Sequence, residues 1–395
     1  MRIIHTTNSL SRLGGGVAPV VWSIADGQQR AGHDVSLMAL GDRYDAQDWP
    51  ATRSAELRVR TFKRSAPGAA FWSLAMHRAL QDSNSGGEVL HQHGLWSMWS
   101  HSVGCWQRQW KRPVLLAAHG GLSDATLNRN PWRKKLFELL CGNRRLRNAT
   151  CLHALCEPEA AAIRRRGVRV PVIVVPNGVR SEDYRALPDS TELARCFPRS
   201  ADRPIVLFLG RIHPLKGVSA LLDAWKRLEN RRRDGWLLVL AGPNDFGFED
   251  KMKAKAEALS LDRDVLFTGP LYGRAKLEAL AAASLFVLPS LSEGFPNSLL
   301  EAMACKLPLV QTHQCNFDEV AAAGAGWVGH PDADSLSEML AEATSTSADE
   351  LQAIGGRGYD LVRKKYTWDH VCRELESVYR WMLVGGAAPA SLYAA

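Results

Sequence analysis

A chain of 395 residues is too long for one ordinary hydrophobic core, which favours two domains. Hydrophobic residues make up 46% and charged residues 23%, as in globular proteins, and no apolar run approaches the roughly 20 residues of a membrane-spanning helix. The net charge of +8 is uneven: residues 1–180 carry 25 Lys and Arg against 12 Asp and Glu, whereas residues 181–395 carry 24 against 29. The basic first half predicts an anionic partner, either nucleic acid or an acidic membrane surface.

The amino terminus and the cysteines indicate the compartment. Residues 1–6 enter a strand-like run without the long apolar segment of a signal peptide, so a cytoplasmic location is expected. The eight cysteines include no C-x-x-C pair, which predicts free thiols in a reducing compartment rather than disulfides or a zinc site.

The chain opens with a β–loop–α–β pattern typical of a doubly wound α/β fold. A strand at residues 2–7 is followed by the glycines 14–16, a helix at 17–30 and a second strand at 33–40. The glycines allow backbone amides to approach a ligand, although a tight turn alone also explains them. A nicotinamide dinucleotide fingerprint would need glycine where Pro19 stands, so this cofactor is not indicated.

Histidines mark the ends of two further predicted strands, at residues 89–92 and 114–118. His93 and His119 each precede a glycine, and His91 lies within the first of these strands. Parallel sheets bind ligands at the carboxyl ends of their strands, so a functional role for at least one histidine and a structural role for all three remain open.

Residues 129–147 combine seven basic residues with interleaved Trp and Leu. This pattern is typical of a helix that lies on an anionic membrane, but a core helix with a solvated basic face fits equally well. Residues 181–200, with prolines at 188 and 198, are predicted to link the two domains.

The second half begins with a strand at 204–210 that ends in a basic loop. Arg211 and Lys216 precede a helix, and two cations beside a helix amino terminus suit a diphosphate. Further strands are predicted at 236–241 and 264–268, and the second ends in Gly269, Pro270 and Leu271.

The stretch from Ala283 to Val310 combines a buried strand, a polar loop and an amphipathic helix beginning near Ser298. Glu293 in the loop and Glu301 in the helix bracket the helix amino terminus, whose unpaired N–H groups attract anions. This layout predicts a site for a sugar nucleotide. Two D-x-D strings, at 262–264 and 332–334, are interpreted as structural, the second as a helix cap, so no metal is expected.

These motifs, in this order, resemble those of retaining nucleotide-sugar glycosyltransferases of family 4. The resemblance covers nearly the whole chain and rests on residues 15–17, 31–35, 119–120, 157–159, 175–179, 209–217, 267–269, 293–304 and 366–368, including the family's E-x₇-E pattern at Glu293 and Glu301.

The resemblance implies the GT-B fold, in which two Rossmann-like doubly wound domains face each other across a cleft. An acceptor-binding domain at 1–185 and a nucleotide-sugar-binding domain at 200–365 are expected, with residues 366–395 crossing back to the first domain.

The family's functional residues map onto matching positions of this sequence. Arg211 and Lys216 are expected to stabilise the diphosphate, Glu293 to contact the donor sugar and phosphates, Glu301 to accept from ribose hydroxyls, and His119 to reach the donor sugar. The remaining expected donor contacts are Gly15, Gly16, Gly210, Gly269, Pro270, Leu271, Gly294, Phe295, Pro296, Asn297 and Ser298.

Two departures from the family pattern follow the helix at Glu301. Lys306 stands where the family commonly has glycine, and residues 314–319 replace a Gly-Gly turn, which predicts a different shape for the neighbouring loop.

The resemblance implies metal-independent transfer of a sugar from a UDP-, GDP- or ADP-sugar to a glycan or lipid-linked acceptor in cell-surface polysaccharide assembly, with peripheral membrane contact through the basic half. A GT-B sugar-nucleotide epimerase or phosphorylase is the alternative. A basic nucleic-acid or membrane-surface binder is a more distant one, since no nucleic-acid-binding motif is recognisable.

Overall fold

The computed structural model describes residues 1–11, 16–41, 56–65, 72–82, 86–95, 99–122, 143–189, 191–200, 203–228 and 235–394. The chain folds into two compact units. The first combines Met1–Gly178 with Trp368–Ala395, and the second is Val179–Thr367.

The first unit is built on a parallel sheet of seven strands, in the order β3-β2-β1-β4-β5-β6-β7. The strands are β1 (Arg2–Thr7), β2 (Asp34–Leu40), β3 (Arg58–Phe62), β4 (Val89–His93), β5 (Val114–Ala117), β6 (Cys151–Ala154) and β7 (Val172–Val174). Its described helices are α1 (Val17–Arg30), α2 (Leu74–Gln81), α3 (Ser100–Trp110), α4 (Asn143–Asn148) and α5 (Glu157–Arg165), and the chain's last helix, defined below, joins them.

The second unit is built on a parallel sheet of six strands, in the order β10-β9-β8-β11-β12-β13. The strands are β8 (Ile205–Leu209), β9 (Leu237–Ala241), β10 (Val265–Gly269), β11 (Ala283–Leu288), β12 (Leu309–Thr312) and β13 (Gly326–Gly329). Its described helices are α6 (Thr191–Cys196), α7 (Val218–Arg227), α8 (Phe248–Ala258), α9 (Gly273–Ala282), α10 (Asn297–Ala304), α11 (Glu319–Ala322), α12 (Ala333–Ser345) and α13 (Ala348–Lys365).

Both sheets confirm the predicted doubly wound α/β class. Strands that are buried on both faces are typically continuous apolar runs, and β8, β9 and the last four residues of β11 are apolar and fully buried. The strand order reverses between β1 and β4 in one sheet and between β8 and β11 in the other. In such sheets ligands bind outside the carboxyl ends of the strands at the reversal, here called the switch point.

The predicted linker at residues 181–200 needs correction. These residues contain a 3₁₀ turn at Ser181–Tyr184, the helix α6 and a second 3₁₀ turn at Pro198–Ser200, and they belong to the second unit. Prolines 188 and 198 therefore lie at the boundaries of short helices and not in an extended connection. The first unit ends at Gly178, before the predicted boundary at residue 185.

The last helix, α14 (Trp368–Val384), returns to the first unit and packs on α1. A Cβ on Gly27 would lie 2.7 Å from Sγ of Cys372, so the absence of a side chain at residue 27 allows the two helices to approach closely. Trp368, Val371, Leu375 and Val378 supply the buried apolar face that joins the core of the first sheet.

The core of the first unit also contains histidines. His5, His91, His93 and His153 are at most 1% exposed, and they lie on the three strands β1, β4 and β6. Burial lowers the pKa of His5 and of His153 to about 4, and it places the pKa values of His91 and His93 well below the ordinary value. The folded unit therefore holds these rings in the neutral form at neutral pH.

Two adjacent glycines of α13 provide a matched test of packing. A Cβ on Gly355 would lie 1.8 Å from the carbonyl oxygen of Lys306, whereas a Cβ on Gly356 meets nothing within 4 Å. Alanine in a helix is normally more stable than glycine by about 0.5–1 kcal/mol. We therefore expect Gly356→Ala to raise the unfolding temperature and Gly355→Ala to lower it, as measured by thermal denaturation. Equal shifts in the two variants would contradict the close contact between α13 and residue 306.

The buried histidines predict that stability falls as the pH falls from 7 to 5.5. The unfolded chain binds protons near pH 6.5, while the folded histidines remain neutral down to lower pH, so each contributes a loss approaching about 1.4 kcal/mol per pH unit below 6.5. Thermal unfolding measured across this window, above the range in which most carboxylates titrate, checks the sign. His153→Gln keeps a donor and an acceptor but removes one of the buried histidines with a lowered pKa, so it should make the dependence less steep. A stability independent of pH in this window would show that the rings are not held neutral.

Candidate active site

The loops that follow β8 and β11 meet at the switch point of the second sheet. Gly217 has a left-handed backbone with φ 70°, and a Cβ there would lie 1.8 Å from the carbonyl oxygen of Pro289. Glycine is therefore required for this approach. The backbone N–H of Leu291 also donates to the carbonyl of Leu215 at 2.8 Å. These contacts join the basic loop and the acidic loop into one surface.

Lys216 and Glu293 form an ion pair between the two loops. The Lys216 ammonium donates to Oε1 of Glu293, and the Ser290 hydroxyl donates to the same oxygen at 2.6 Å. The two side chains are only 18% and 11% exposed, so solvent screens this pair less than a surface pair. The ion pair places the lysine ammonium at the carboxyl ends of β8 and β11.

Arg211, the second predicted cation, pairs with a different loop. Its Nη1 lies 2.6 Å from Oδ2 of Asp245, which follows β9, and the Arg211 side chain is 52% exposed. Close packing again fixes the backbone: a Cβ on Gly242 would lie 1.7 Å from the carbonyl oxygen of Gly210. Gly210 was predicted as a donor contact. The structure shows that its backbone also lies in a close contact between the ends of two strands.

Glu301 lies on α10 and has two partners that the motif did not reveal. Lys276 of α9 approaches Oε1 at 2.8 Å, and the hydroxyl of Tyr184 donates to the same carboxylate. Burial, and then the negative charge of Glu301, raise the pKa of Tyr184 above its ordinary value. Tyr184 lies in the stretch predicted as a linker and Lys276 in an otherwise ordinary helix, so sequence spacing carried no signal for either contact.

The predicted residues around the start of α10 divide by role. Pro296 precedes the helix, Asn297 begins it, and Ser298 lies in its first turn, so α10 begins within one residue of the predicted start. The Phe295 ring stacks on Tyr366 with ring centres 5.9 Å apart, and it lies tilted against Phe317 with ring centres 5.1 Å apart. The Phe295 side chain therefore packs within the protein, and Gly294 precedes it in the loop.

Gly269, Pro270 and Leu271 connect β10 to α9. Gly269 has φ 72°, a backbone conformation that favours glycine. Leu271 packs on the core of the unit and fixes the course of the turn. The turn lies two strands away from β8 at the same edge of the sheet, since every strand is parallel.

The two departures from the family pattern have visible consequences. Lys306 has φ 59°, a conformation in which glycine is favoured, and its ammonium lies 5.2 Å from the centre of the Tyr359 ring. Asn316 is also left-handed, with φ 55°, and its Nδ2 donates to the carbonyl of Glu293 at 2.7 Å. The backbone N–H of Glu293 donates in turn to the carbonyl of Gln314 at 3.0 Å. The loop at residues 314–319, which differs from the family pattern, therefore supports the backbone of Glu293 directly.

The remaining predicted residues belong to the first unit. Gly15 lies outside the described residues, and Gly16 immediately precedes α1. His119 follows β5 in a left-handed conformation with φ 49°, which is uncommon for a residue with a side chain. The buried carboxylate of Glu159 accepts from the N–H of Gly120 at 2.6 Å and from that of Leu155 at 2.8 Å. This carboxylate holds the turn that presents His119.

His119 is partly exposed and joins the buried histidines. Its Nε2 lies 2.9 Å from Nδ1 of His93, and Nε2 of His93 lies 3.0 Å from Nδ1 of His5. Burial is the main cause that lowers the pKa of His119, so its ring is neutral at neutral pH. Of the three histidines that the sequence indicated, His119 lies at the strand end and His91 and His93 lie beneath it in the core.

The acidic strings have structural partners. Asp332 accepts from the backbone N–H groups of Asp334 and Ser335 at the start of α12, which confirms the predicted helix cap. Asp264 pairs with Arg203 at 3.0 Å. Across the described parts of both units, no helix has the length and apolar character needed to cross a membrane.

Comparison with known proteins identifies the two halves separately. Residues 15–178 match the family model "Glycosyl transferase 4-like domain", and residues 189–359 match "Glycosyl transferases group 1". The alpha-maltose-1-phosphate synthase of Mycolicibacterium smegmatis is 30% identical over 53% of this chain and 56% of its own length. The lipopolysaccharide core biosynthesis mannosyltransferase LpsB of Rhizobium meliloti is 27% identical over 54% and 62%. The chain thus spans only about half to three fifths of the length of these two relatives.

A solved structure shows the same fold over the whole chain. HepE of Anabaena, crystallised with UDP and glucose, superimposes with a TM-score of 0.77 at 17% identity, covering 96% of this chain and 99% of that one. The structural match establishes the architecture, and the two family models establish the descent of each half. The chain therefore belongs to the family 4 glycosyltransferases, which have the GT-B fold.

Proposed function

We propose that the protein transfers a sugar from a nucleoside-diphosphate sugar to a glycan or lipid-linked acceptor in cell-surface polysaccharide assembly, with retention of the anomeric configuration. The observation that carries the proposal is the joined pair of loops at the switch point of the second sheet, where Lys216 pairs with Glu293 in the loop that leads into α10 and Arg211 follows the end of β8. Positive charge at the carboxyl ends of parallel strands suits a diphosphate.

The chemistry of this surface follows from the leaving group. Breaking the bond between sugar and diphosphate leaves additional negative charge on the diphosphate, and fixed cations stabilise that charge most where they need no reorganisation. Lys216 has three N–H donors, so it can retain Glu293 and still donate to a phosphate oxygen. The Arg211 side chain is half exposed, and its guanidinium has five N–H donors, so it can retain Asp245 and still bind a phosphate.

Metal independence is part of the proposal. Two side-chain cations and the helix amino terminus supply the charge stabilisation that a divalent ion supplies elsewhere. One aspartate of each D-x-D string also has a partner within the protein. Asp264 pairs with Arg203, and Asp332 accepts from the backbone N–H of Ser335. On this proposal Glu301 accepts from ribose hydroxyls, and its contacts to Lys276 and Tyr184 hold it in place.

The relatives support the choice of substrates. UDP and glucose are the ligands of the HepE structure, and the name of LpsB places that protein in lipopolysaccharide core biosynthesis. A nucleotide sugar as donor and a cell-surface glycan as acceptor follow as proposals for this chain. Peripheral membrane contact through the basic half stays a prediction, since most of the segment 129–147 lies outside the described residues.

A ligand screen tests the donor site. We expect one of UDP, GDP or ADP, and its sugar conjugate, to raise the unfolding temperature, because a ligand at 100 times its Kd stabilises a protein by about 2.7 kcal/mol. Thermal-shift measurements with excess EDTA and with added Mg²⁺ should give equal shifts. With the donor so identified, NMR of the product should show the anomeric configuration of the donor retained. The absence of any nucleotide shift, a strict metal requirement or an inverted product would each contradict the part of the proposal that it addresses.

Substitution of Lys216 tests the role of the cation. Lys216→Ala should lower kcat/KM by about a hundredfold or more, the scale on which preorganised charge stabilisation contributes to catalysis. Lys253→Ala is the control, since Lys253 is also a paired lysine of the second unit but its partner, Glu249, lies one turn earlier in the same helix. Initial-rate kinetics, with unfolding temperatures to verify folding, should show the loss only at residue 216. Wild-type turnover by a folded Lys216→Ala protein would exclude the assigned role.

A further inference from the structure

A continuous line of buried hydrogen bonds connects the core of the first unit to His119. We call it the histidine chain, and its members in order are Val175, His153, His91, Tyr379, Gln28, His5, His93 and His119. The successive contacts measure 2.7, 3.3, 2.8, 3.2, 2.8, 3.0 and 2.9 Å. The members of the histidine chain lie on five strands and helices, β1, β4, β6, α1 and α14, or directly after a strand.

The direction of every hydrogen bond follows from the Val175 end. A backbone carbonyl only accepts, so Nε2 of His153 carries a proton and donates to Val175. The His153 ring is neutral, so its Nδ1 must accept from Nε2 of His91. Nδ1 of His91 then accepts from the hydroxyl of Tyr379. One acceptor of known identity thus fixes the tautomers of two histidines.

The same logic continues through the amide of Gln28. The Tyr379 hydroxyl donates its hydrogen bond to His91, so its oxygen must accept one from Gln28. The amide nitrogen of Gln28 faces this oxygen. The amide oxygen of Gln28 therefore accepts from Nε2 of His5. Nδ1 of His5 accepts from Nε2 of His93, whose Nδ1 accepts from Nε2 of His119. All five histidines have the Nε2–H tautomer, and every bond runs in one direction.

A metal ion is the competing interpretation of this cluster. Nitrogens of His5, His91 and His93 lie within 4.8 Å of one another, close enough to share an ion. All six ring nitrogens of these residues already have hydrogen-bond partners, so a metal would have to break bonds in the chain. Satisfied donors and acceptors favour the hydrogen-bonded arrangement, since each unpaired buried polar group is costly.

We propose that the histidine chain is a positioning device that fixes His119 as the neutral Nε2–H tautomer and leaves Nδ1 as a hydrogen-bond acceptor for a hydroxyl of the bound sugar. An Nδ1 lone pair accepts a hydrogen bond and repels phosphate oxygens, so a ligand at this atom must present a donor, as a sugar hydroxyl does and an ionised diphosphate does not. The inference rests on the proposed function for the identity of the ligand, but the tautomer is a property of the first unit alone. His93, His5, Gln28, Tyr379, His91 and His153 act through His119 and are positioning residues.

Nitrogen NMR of the histidine rings tests the tautomer without any assay of activity. Full-length protein labelled with ¹⁵N-histidine distinguishes Nε2–H, Nδ1–H and protonated rings, and the signal of His119 is assigned by its loss in His119→Asn. We expect His119 to remain neutral with the proton on Nε2 from pH 7.5 to 6, without substrate and without bound metal in elemental analysis. An Nδ1–H or protonated His119, or stoichiometric metal in the purified protein, would overturn the proposal. This result is independent of whether any nucleotide sugar is a substrate.

Removal of one hydroxyl tests the connectivity. Tyr379→Phe removes the hydroxyl that joins His91 to Gln28. The tautomers of His5, His93 and His119 are then no longer fixed by the Val175 carbonyl, whereas His153 keeps its hydrogen bond to it. We expect a mixture of tautomers at His119 and no change at His153. Tyr366→Phe is the matched control, since it also removes a hydroxyl donor, to Glu319, in the second unit. Equal effects of the two variants, or none at His119 in a folded Tyr379→Phe protein, would contradict the chain.

Kinetics of Tyr379→Phe distinguish a positioning role of the histidine chain from a general loss of stability. With the donor found in the ligand screen, Tyr379→Phe should lower kcat/KM by about five- to tenfold, the factor that corresponds to one ordinary hydrogen bond. The affinity for the nucleoside diphosphate alone, which lacks the sugar, should be unchanged. Loss of affinity for both ligands would indicate a structural role only and would overturn the assignment of His119 to the sugar.

Discussion

The ion pair between Lys216 and Glu293 is the interaction on which the candidate donor site depends. It connects the loop after β8 to the loop after β11 at the point where the strand order reverses, and Ser290 and Asn316 hold the acidic side in place. Parallel strands deliver their following loops to one edge of the sheet, so two motifs 77 residues apart in sequence meet there. Gly217 makes the contact possible because a side chain would collide with Pro289.

The surroundings of this pair explain how the family pattern tolerates change. Lys306 replaces a common glycine yet retains a left-handed backbone, with its ammonium over Tyr359. Asn316 is the left-handed residue in the loop that replaces a Gly-Gly turn, and its side chain bonds to the backbone of Glu293. Asparagine tolerates this conformation better than most residues, and it adds a donor that glycine lacks. The departures therefore preserve backbone geometry and change how Glu293 is supported.

In the first unit, the polar rings of several histidines are buried within the sheet and need hydrogen-bond partners there. Five neutral histidines, one tyrosine and one glutamine satisfy one another in a single direction, ending on a backbone carbonyl. Such a network specifies one arrangement because reversing any member leaves two donors or two acceptors facing each other. The return of α14 to the first unit contributes Tyr379, without which the line is interrupted.

The sequence by itself determined the α/β class, most strands, the switch-point loops and the family, because these depend on local apolar runs, glycine positions and motif order. It also indicated Lys216, Glu293, Glu301 and His119 as members of a site, and their binding roles stay predictions. Only the tertiary structure revealed Lys276, Tyr184 and Asn316 as partners of the two glutamates, and the helices within the predicted linker. These contacts join residues that are distant along the chain, and no local pattern encodes them. The direction of the histidine chain was equally out of reach, because it follows from a single carbonyl, at Val175, that the fold brings to His153.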